Sequence, residues 1–69
     1  MINHFAANLK TLRKQKTYSR RLLALQLSGV TDKNIYTWEN RAIQPSYEKL
    51  IEIAKYFDVS IDRLLTEKI

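Results

Sequence analysis

A short stretch of the sequence contains four polar side chains at helical spacing: Lys33, Tyr36, Thr37 and Asn40. Ile35 and Trp38 fall between them, three residues apart, which puts the apolar pair on the opposite face of a helix. The pattern predicts a short helix that is buried along a narrow stripe and open along a polar face. Ammonium, hydroxyl and amide groups in such a row suit hydrogen bonding and binding rather than bond cleavage.

Catalysis and metal binding have few candidate residues here. The only histidine, His4, lies close to the N-terminus, and the sequence has no cysteine to serve as a nucleophile or a ligand. No glycine-rich phosphate loop is present, and the serines and aspartates are explained as helix caps. We therefore expect no enzyme activity, no metal, no cofactor and no small-molecule ligand.

Basic charge is concentrated in the first three-fifths of the chain. Residues 1–41 contain eight Lys and Arg against Asp32 and Glu39, a net charge of +6, whereas residues 42–69 contain four basic and five acidic residues, a net charge of −1. This distribution suits an electrostatic footprint for an anionic polymer. A well-solvated surface explains the same charge equally well.

Length and composition limit the class of protein. The 69 residues suffice for one small domain, expected over 1–69. One glycine and one proline allow few tight turns, which argues against a fold of many strands. No window of 18 apolar residues could cross a membrane, and residues 1–5 do not resemble a signal peptide. We therefore expect a cytoplasmic protein with no membrane partner.

The first two helices are predicted from apolar spacing and capping residues. The apolar face of the first helix recurs at intervals of three and four: Ile2, Phe5, Leu9 and Leu12. Asn3 is a suitable N-cap, and this helix should fade near Lys16. Ser19 then caps a second helix, whose leucines cannot all face one side. Gly29 should end that helix in a left-handed conformation.

Three further helices follow from the same signals. Thr31 caps the third, predicted over about 32–39, and a loop over 40–45 comes next. Ser46 caps the fourth helix and Ser60 caps the fifth. The buried stripes of these last two helices are predicted to be Leu50, Ile53, Ala54 and Phe57, and then Ile61, Leu64 and Leu65.

Nearly the whole chain, from about Phe5 to Leu65, resembles the phage repressor and Cro-type helix-turn-helix proteins, the XRE family. The matching segments are NLKTLRKQKTYS, LLALQL, TDKNIYTWEN and PSYEKLIEIAKYFDVSIDRLL. The resemblance implies an all-α, five-helix, lambda-repressor-like fold with its helix-turn-helix over about 19–38. It also implies that the third helix enters the major groove of DNA while the second crosses the phosphate backbone.

The base-reading positions of that family fall on Asp32, Lys33 and Thr37. Lys33 can donate to the guanine edge, and Thr37 can hydrogen-bond or meet a thymine methyl group. Asp32 can accept from cytosine, although stabilising the N-terminus of the helix is an alternative role. Tyr36 flanks this face and is grouped with the base readers, while a phosphate or sugar contact also suits it.

The resemblance places phosphate contacts on either side of the base readers: Ser19, Arg20, Arg21, Asn34, Asn40 and Arg41. Arg20 stands where the family often has glutamine, and its fork suits a phosphate; Arg21 is as well explained by solvation. Arg41 stands where the family usually has glycine, so left-handed backbone there would cost about 1 kcal/mol unless Asn40 adopts it. Arg13 and Glu39 match a pair that forms a salt bridge between helix 1 and helix 3.

The turn LSGVT at 27–31 is one residue longer than the family's turn, which leaves the orientation of helix 3 and its base contacts open. The resemblance implies a transcriptional regulator, with repression as the expected mode, that binds a double-stranded DNA operator. It also implies a homodimer, which can be weak or can form only on DNA. Surplus apolar residues are candidates for the dimer contact: Ile43, Tyr56, Leu65 and Ile69. The alternative is an antitoxin-like module that binds a partner protein and regulates its own promoter.

Overall fold

The computed structural model describes residues 3–41 and 43–69, so Ile2, predicted on the apolar face of the first helix, lies outside the described residues. Five helices follow one another along the chain: α1 (Phe5–Gln15), α2 (Arg20–Gln26), α3 (Asp32–Asn40), α4 (Tyr47–Tyr56) and α5 (Ile61–Thr66). Across the two described ranges no residue is in a strand. The predicted all-α, five-helix architecture is therefore confirmed.

Hydroxyl side chains cap four of the five helices where the sequence predicted them. Each accepts a hydrogen bond from the backbone N–H three residues further on: Ser19, Thr31, Ser46 and Ser60. At α1 the predicted cap, Asn3, lies one position too early, because the N-cap is His4, which makes no side-chain cap. Asn3 instead accepts from the Phe5 N–H at 2.8 Å and so satisfies one of the unpaired amides at the helix start.

The core is formed by one apolar side of each helix. Its buried side chains are Phe5, Leu9, Leu12, Leu23, Ala24, Leu27, Ile35, Trp38, Leu50, Ile53, Ala54 and Leu64. α3 packs against α1 and α2, whereas α5 packs against α1 and α4. The leucines of α2 divide as expected, with Leu23 buried and Leu25 71% exposed. Phe57 is only partly buried and packs at the edge of this core.

The turn between α2 and α3 begins earlier than predicted. α2 ends at Gln26, and its C-cap, Leu27, already has extended backbone. Gly29 has the expected positive φ, +62°, but it lies two residues beyond the C-cap and shapes the turn instead of ending the helix. An added Cβ at Gly29 would meet nothing within 4 Å, so the backbone conformation alone favours glycine there.

The end of α3 corrects two predictions. Asn40 does not open the loop but is the last residue of the helix, and its Nδ2 donates to the Tyr36 carbonyl at 3.0 Å. Arg41 is the C-cap with φ −116°, and among the described residues other than glycine only Thr17 and Asp58 have positive φ. The left-handed strain expected at Arg41 or Asn40 is therefore absent, because the helix ends without that conformation.

A buried amide fastens α5 to α1. Asn8 is 1% exposed, and its Nδ2 donates to the carbonyls of Leu64 at 2.8 Å and Glu67 at 2.6 Å. Its Oδ1 accepts from the Ile69 N–H at 2.9 Å. The last carbonyls of a helix have no partner within the helix, so Asn8 supplies partners for those of α5.

The apolar residues proposed for a dimer contact are mostly occupied within the chain. Three of them are partly buried against the core: Tyr56, Leu65 and Ile69. Ile43 remains 54% exposed. The sequence pattern did not show that these three side chains pack against the core.

Candidate nucleic-acid interface

The exposed side of α3 holds all four predicted base-reading residues. Asp32 and Lys33 are exposed in its first turn, Tyr36 is 47% exposed, and Thr37 is half-buried. Ile35 and Trp38 face the core, so the helix presents its polar row outward as its spacing requires. Asp32 also lies where a carboxylate is favoured by the helix dipole.

The N-terminus of α3 is closed by its own side chains. The Thr31 hydroxyl accepts from the Asn34 N–H at 3.2 Å, and Asn34 Oδ1 accepts from the Thr31 N–H at 2.9 Å. This reciprocal pair is a capping box, here with asparagine where glutamate or glutamine is usual. The oxygen of Asn34 is therefore engaged, which leaves its NH₂ group for the phosphate contact that the sequence assigned to it.

Glu39 joins α1 to α3 through Arg13. Arg13 Nε lies 2.7 Å from Oε2 and Nη2 lies 3.1 Å from Oε1, and the two side chains are 8% and 0% exposed. The remaining Arg13 nitrogen, Nη1, donates to the Tyr18 carbonyl at 2.8 Å. This two-pronged contact is the strong form of a carboxylate–guanidinium pair, and it supports α3 from behind.

Arg20, the first residue of α2, reaches across to α3. Its Nε lies 3.4 Å from Glu39 Oε1, and its guanidinium carbon lies 5.1 Å from the centre of the Tyr36 ring. The Nε is buried and has no hydrogen-bond partner in the parts of the chain that the structure describes, so its attraction to Glu39 is coulombic. The sequence did not predict this contact, because the partners are 16 and 19 residues away.

The lengthened turn is held by α4. The Ser28 N–H donates to Glu52 Oε2 at 2.8 Å, the Ser28 carbonyl accepts from Lys49 Nζ, and Lys49 and Glu52 pair at 2.6 Å. The Lys49 ammonium and then the Ser28 N–H hold the pKa of Glu52 below its ordinary value. The only signal in the sequence was a Lys and a Glu three residues apart on α4.

The remaining predicted phosphate-binding residues lie before and after the polar residues of α3 along the chain. Ser19 and Arg21 are exposed at the start of α2, and Asn40 and Arg41 are exposed at the end of α3. Between residues 19 and 41 the acidic residues are Asp32 and Glu39, and Glu39 is paired with Arg13. This segment therefore presents an excess of positive charge around hydrogen-bonding side chains.

In residues 3–41 and 43–69 no three His, Asp or Glu side chains come together as a metal site would require. Among the described helices, none has both the length and the apolar character needed to cross a membrane.

Comparison with known proteins places the chain among helix-turn-helix proteins. The family model HTH_3, described as helix-turn-helix, matches residues 9–64. A transcriptional regulator from Listeria innocua superposes with a TM-score of 0.83 at 31% identity, over 94% of this chain and 60% of that one. This chain therefore spans less than two thirds of the length of that regulator.

Two further solved structures share the arrangement of helices. The P22 c2 repressor, solved in complex with a synthetic operator, superposes with a TM-score of 0.81 at 25% identity, over 93% of this chain and 96% of that one. The LexA SOS-response repressor of Eubacterium rectale superposes with a TM-score of 0.83 at 23% identity, over 93% and 67%. A search of curated proteins found no significant match.

Proposed function

The chain belongs to the helix-turn-helix family HTH_3, and on this premise we propose that it binds double-stranded DNA and regulates transcription, with repression as its mode. The proposal rests above all on the polar, outward face of α3, which Glu39 and Arg13 support from the core. The P22 c2 repressor, whose structure was solved with an operator, is matched over nearly its whole length. That match supports a DNA-binding role for α3.

In this proposal α3 enters the major groove and reads base edges. Lys33 donates to guanine O6 or N7, and Thr37 bonds a base or contacts a thymine methyl group. Asp32 accepts from cytosine N4 where the sequence allows it. Because the extra turn residue is held to α4 through Ser28, the lengthened turn does not leave α3 loosely attached.

The flanking residues position the protein on the phosphate backbone. The contacts we assign to phosphates are Ser19, Arg20, Arg21, Asn34, Asn40 and Arg41. Such contacts carry affinity and register but no sequence information. The excess of positive charge in residues 1–41 favours contacts with phosphates over a module that binds only proteins.

Binding to random-sequence duplex DNA at two salt concentrations tests the proposal. If about four phosphates are neutralised, affinity should fall roughly 100-fold between about 50 and 200 mM salt, because counterions are released on binding. Arg20→Gln should reduce that salt dependence, whereas the matched charge change Lys68→Gln, outside 19–41, should not. Absence of binding at low salt would overturn the proposal and favour a module that binds only proteins.

We also propose that two copies bind one operator. A single short helix reads few bases, and palindromic operators place half-sites about 34 Å apart. Of the four apolar residues that the sequence suggested for the contact, Ile43 is the one that stays exposed, at 54%. Sedimentation with a palindromic operator should show two protein chains per duplex; a 1:1 complex at saturation would contradict the dimer.

A further inference from the structure

We propose that Tyr36 does not read a base but, together with Glu39, holds the guanidinium of Arg20 in the orientation in which it binds a DNA phosphate. The inference rests on the proposed DNA-binding function and changes the role that the sequence assigned to Tyr36. In this account Tyr36 is a positioning residue, and Arg20 is the group that touches DNA.

The side chain of Arg20 lies over one face of the Tyr36 ring. The guanidinium carbon lies 5.1 Å from the ring centre, within the range of a cation–π contact. Tyr36 lies on α3 and Arg20 is the first residue of α2, so this contact bridges the two helices of the motif. The face of the ring that meets the guanidinium is not free to contact a base at the same time.

Glu39 fixes a second side of the same guanidinium. Its fully buried carboxylate already accepts two hydrogen bonds from Arg13, and Arg20 Nε lies 3.4 Å away without a hydrogen bond. Because Arg13 already pairs with Glu39 in a two-pronged contact, the three side chains together carry a net charge of +1. Arg20 is therefore oriented by Glu39 without being neutralised by it.

Part of the Arg20 side chain remains exposed beside these two contacts. Its side chain is 38% exposed, and within residues 3–41 and 43–69 its contact with Glu39 is made through Nε and not through the terminal nitrogens. The fork of two terminal nitrogens is the part of arginine that binds phosphate bidentately. Orienting a long side chain before binding removes part of its ordering cost, which corresponds to about a three- to tenfold gain in affinity.

A double-mutant cycle on Tyr36 and Arg20 tests the inference. Binding is measured to a duplex selected from a random pool and to random-sequence duplex DNA. Tyr36→Phe keeps the ring and should bind as the original protein does. Tyr36→Leu and Tyr36→Gln should weaken binding to both duplexes by about three- to tenfold and lower the salt slope toward that of Arg20→Gln, by at most about 0.9. In the Arg20→Gln background, Tyr36→Leu should have no further effect.

The alternative roles give different results in the same experiment. If Tyr36 reads a base, its variants will relax the preference at one base position and will still lose affinity in the Arg20→Gln background, which overturns the inference. If Tyr36 only supports the fold, Tyr36→Leu will lower the melting temperature and leave the salt slope unchanged, which also overturns it. Failure of the unmodified protein to bind any duplex would instead reject the proposed function itself.

Discussion

At the scale of single residues, Glu39 connects the stability of the fold to the binding surface. Its carboxylate is fully buried, accepts two hydrogen bonds from Arg13 and lies 3.4 Å from Arg20. A buried charge is tolerated only when it is paired and hydrogen-bonded. The same carboxylate therefore holds α1 against α3 and orients a side chain of α2.

Replacing Glu39 should destabilise the protein more than replacing a glutamate in an exposed ion pair. Glu39→Gln leaves Arg13 buried without a counter-charge, so the free energy of unfolding should fall by about 2 kcal/mol. The matched control is Glu67→Gln, which breaks the exposed Arg63–Glu67 pair and should cost less than about 0.5 kcal/mol. Urea denaturation measures both, and equal losses would contradict the role given to Glu39.

Single residues differ in how far the sequence could predict them. The salt bridge between Arg13 and Glu39 was suggested by the family resemblance, although the partners are 26 residues apart. The capping role of Asn34 was missed because the usual residue at that position is glutamate or glutamine. The contact of Arg20 with Tyr36 could not be predicted, because it depends on the angle at which α2 meets α3.

At the scale of helices, the beginnings marked by a hydroxyl cap were predictable, whereas the ends of α2 and α3 were not. A serine or threonine cap acts on an amide three residues away, so Ser19 or Thr31 signals a helix start by itself. The end of α2 depends instead on contacts from α4 to Ser28. Asn40 extends α3 by bonding back to Tyr36, a local contact that competes with the loop the sequence suggested.

The attachment of α5 to α1 should depend on the amide of Asn8. Asn8→Leu keeps the size of the side chain but removes the partners of the Leu64 and Glu67 carbonyls. Leaving such buried groups unpaired costs about 2 kcal/mol. Amide hydrogen exchange should then be faster in α5 than in α3, and overall stability in urea should fall.

Gln15→Leu is the control for this change, because it makes the same kind of substitution at an exposed position of α1. It should leave stability within about 0.5 kcal/mol of the original protein. If Asn8→Leu left hydrogen exchange in α5 unaltered, the amide would not be what fastens that helix.

The contact between α4 and the lengthened turn should make stability depend on pH. The pKa of Glu52 in the folded chain is lowered from 4.5 by Lys49 and then by the Ser28 N–H. A carboxyl group with a lowered pKa stabilises the fold above its unfolded pKa and loses that contribution as pH falls through the folded value. Glu52→Gln should therefore lower stability near pH 7 by at most about 1 kcal/mol, and the difference should shrink in acid.

Glu48→Gln provides the comparison for Glu52→Gln on the same helix, since Glu48 is exposed in the first turn of α4. Thermal unfolding measured between pH 3 and 7 would show whether the two variants differ. A difference between Glu52→Gln and the original protein that stayed constant across this range would contradict the ion-paired contact with the turn.

At the scale of the whole molecule, the fold and the DNA-binding surface are predicted from different features of the sequence. Apolar spacing and hydroxyl caps predicted the five helices that the structure shows. The charge of residues 1–41 predicts a basic surface on that part of the chain. Which of the exposed side chains contacts a base was not predictable in the same way. That assignment depends on the orientation that the 27–31 turn gives to α3. Lys49 and Glu52 hold this turn from α4, a helix outside the helix-turn-helix motif.

Selection of bound sequences from a random pool of duplex DNA tests whether α3 reads bases. The selection is repeated with Lys33→Ala, Thr37→Ala and Arg20→Ala. We expect the original protein to select a defined site. Lys33→Ala and Thr37→Ala should each relax the preference at a single position, at a cost of about 1–3 kcal/mol for a well-formed base contact. Arg20→Ala should weaken binding to all sequences alike and lower the salt slope by about 1. Selection of no preferred site, or an unchanged preference in both Lys33→Ala and Thr37→Ala, would contradict base reading by α3.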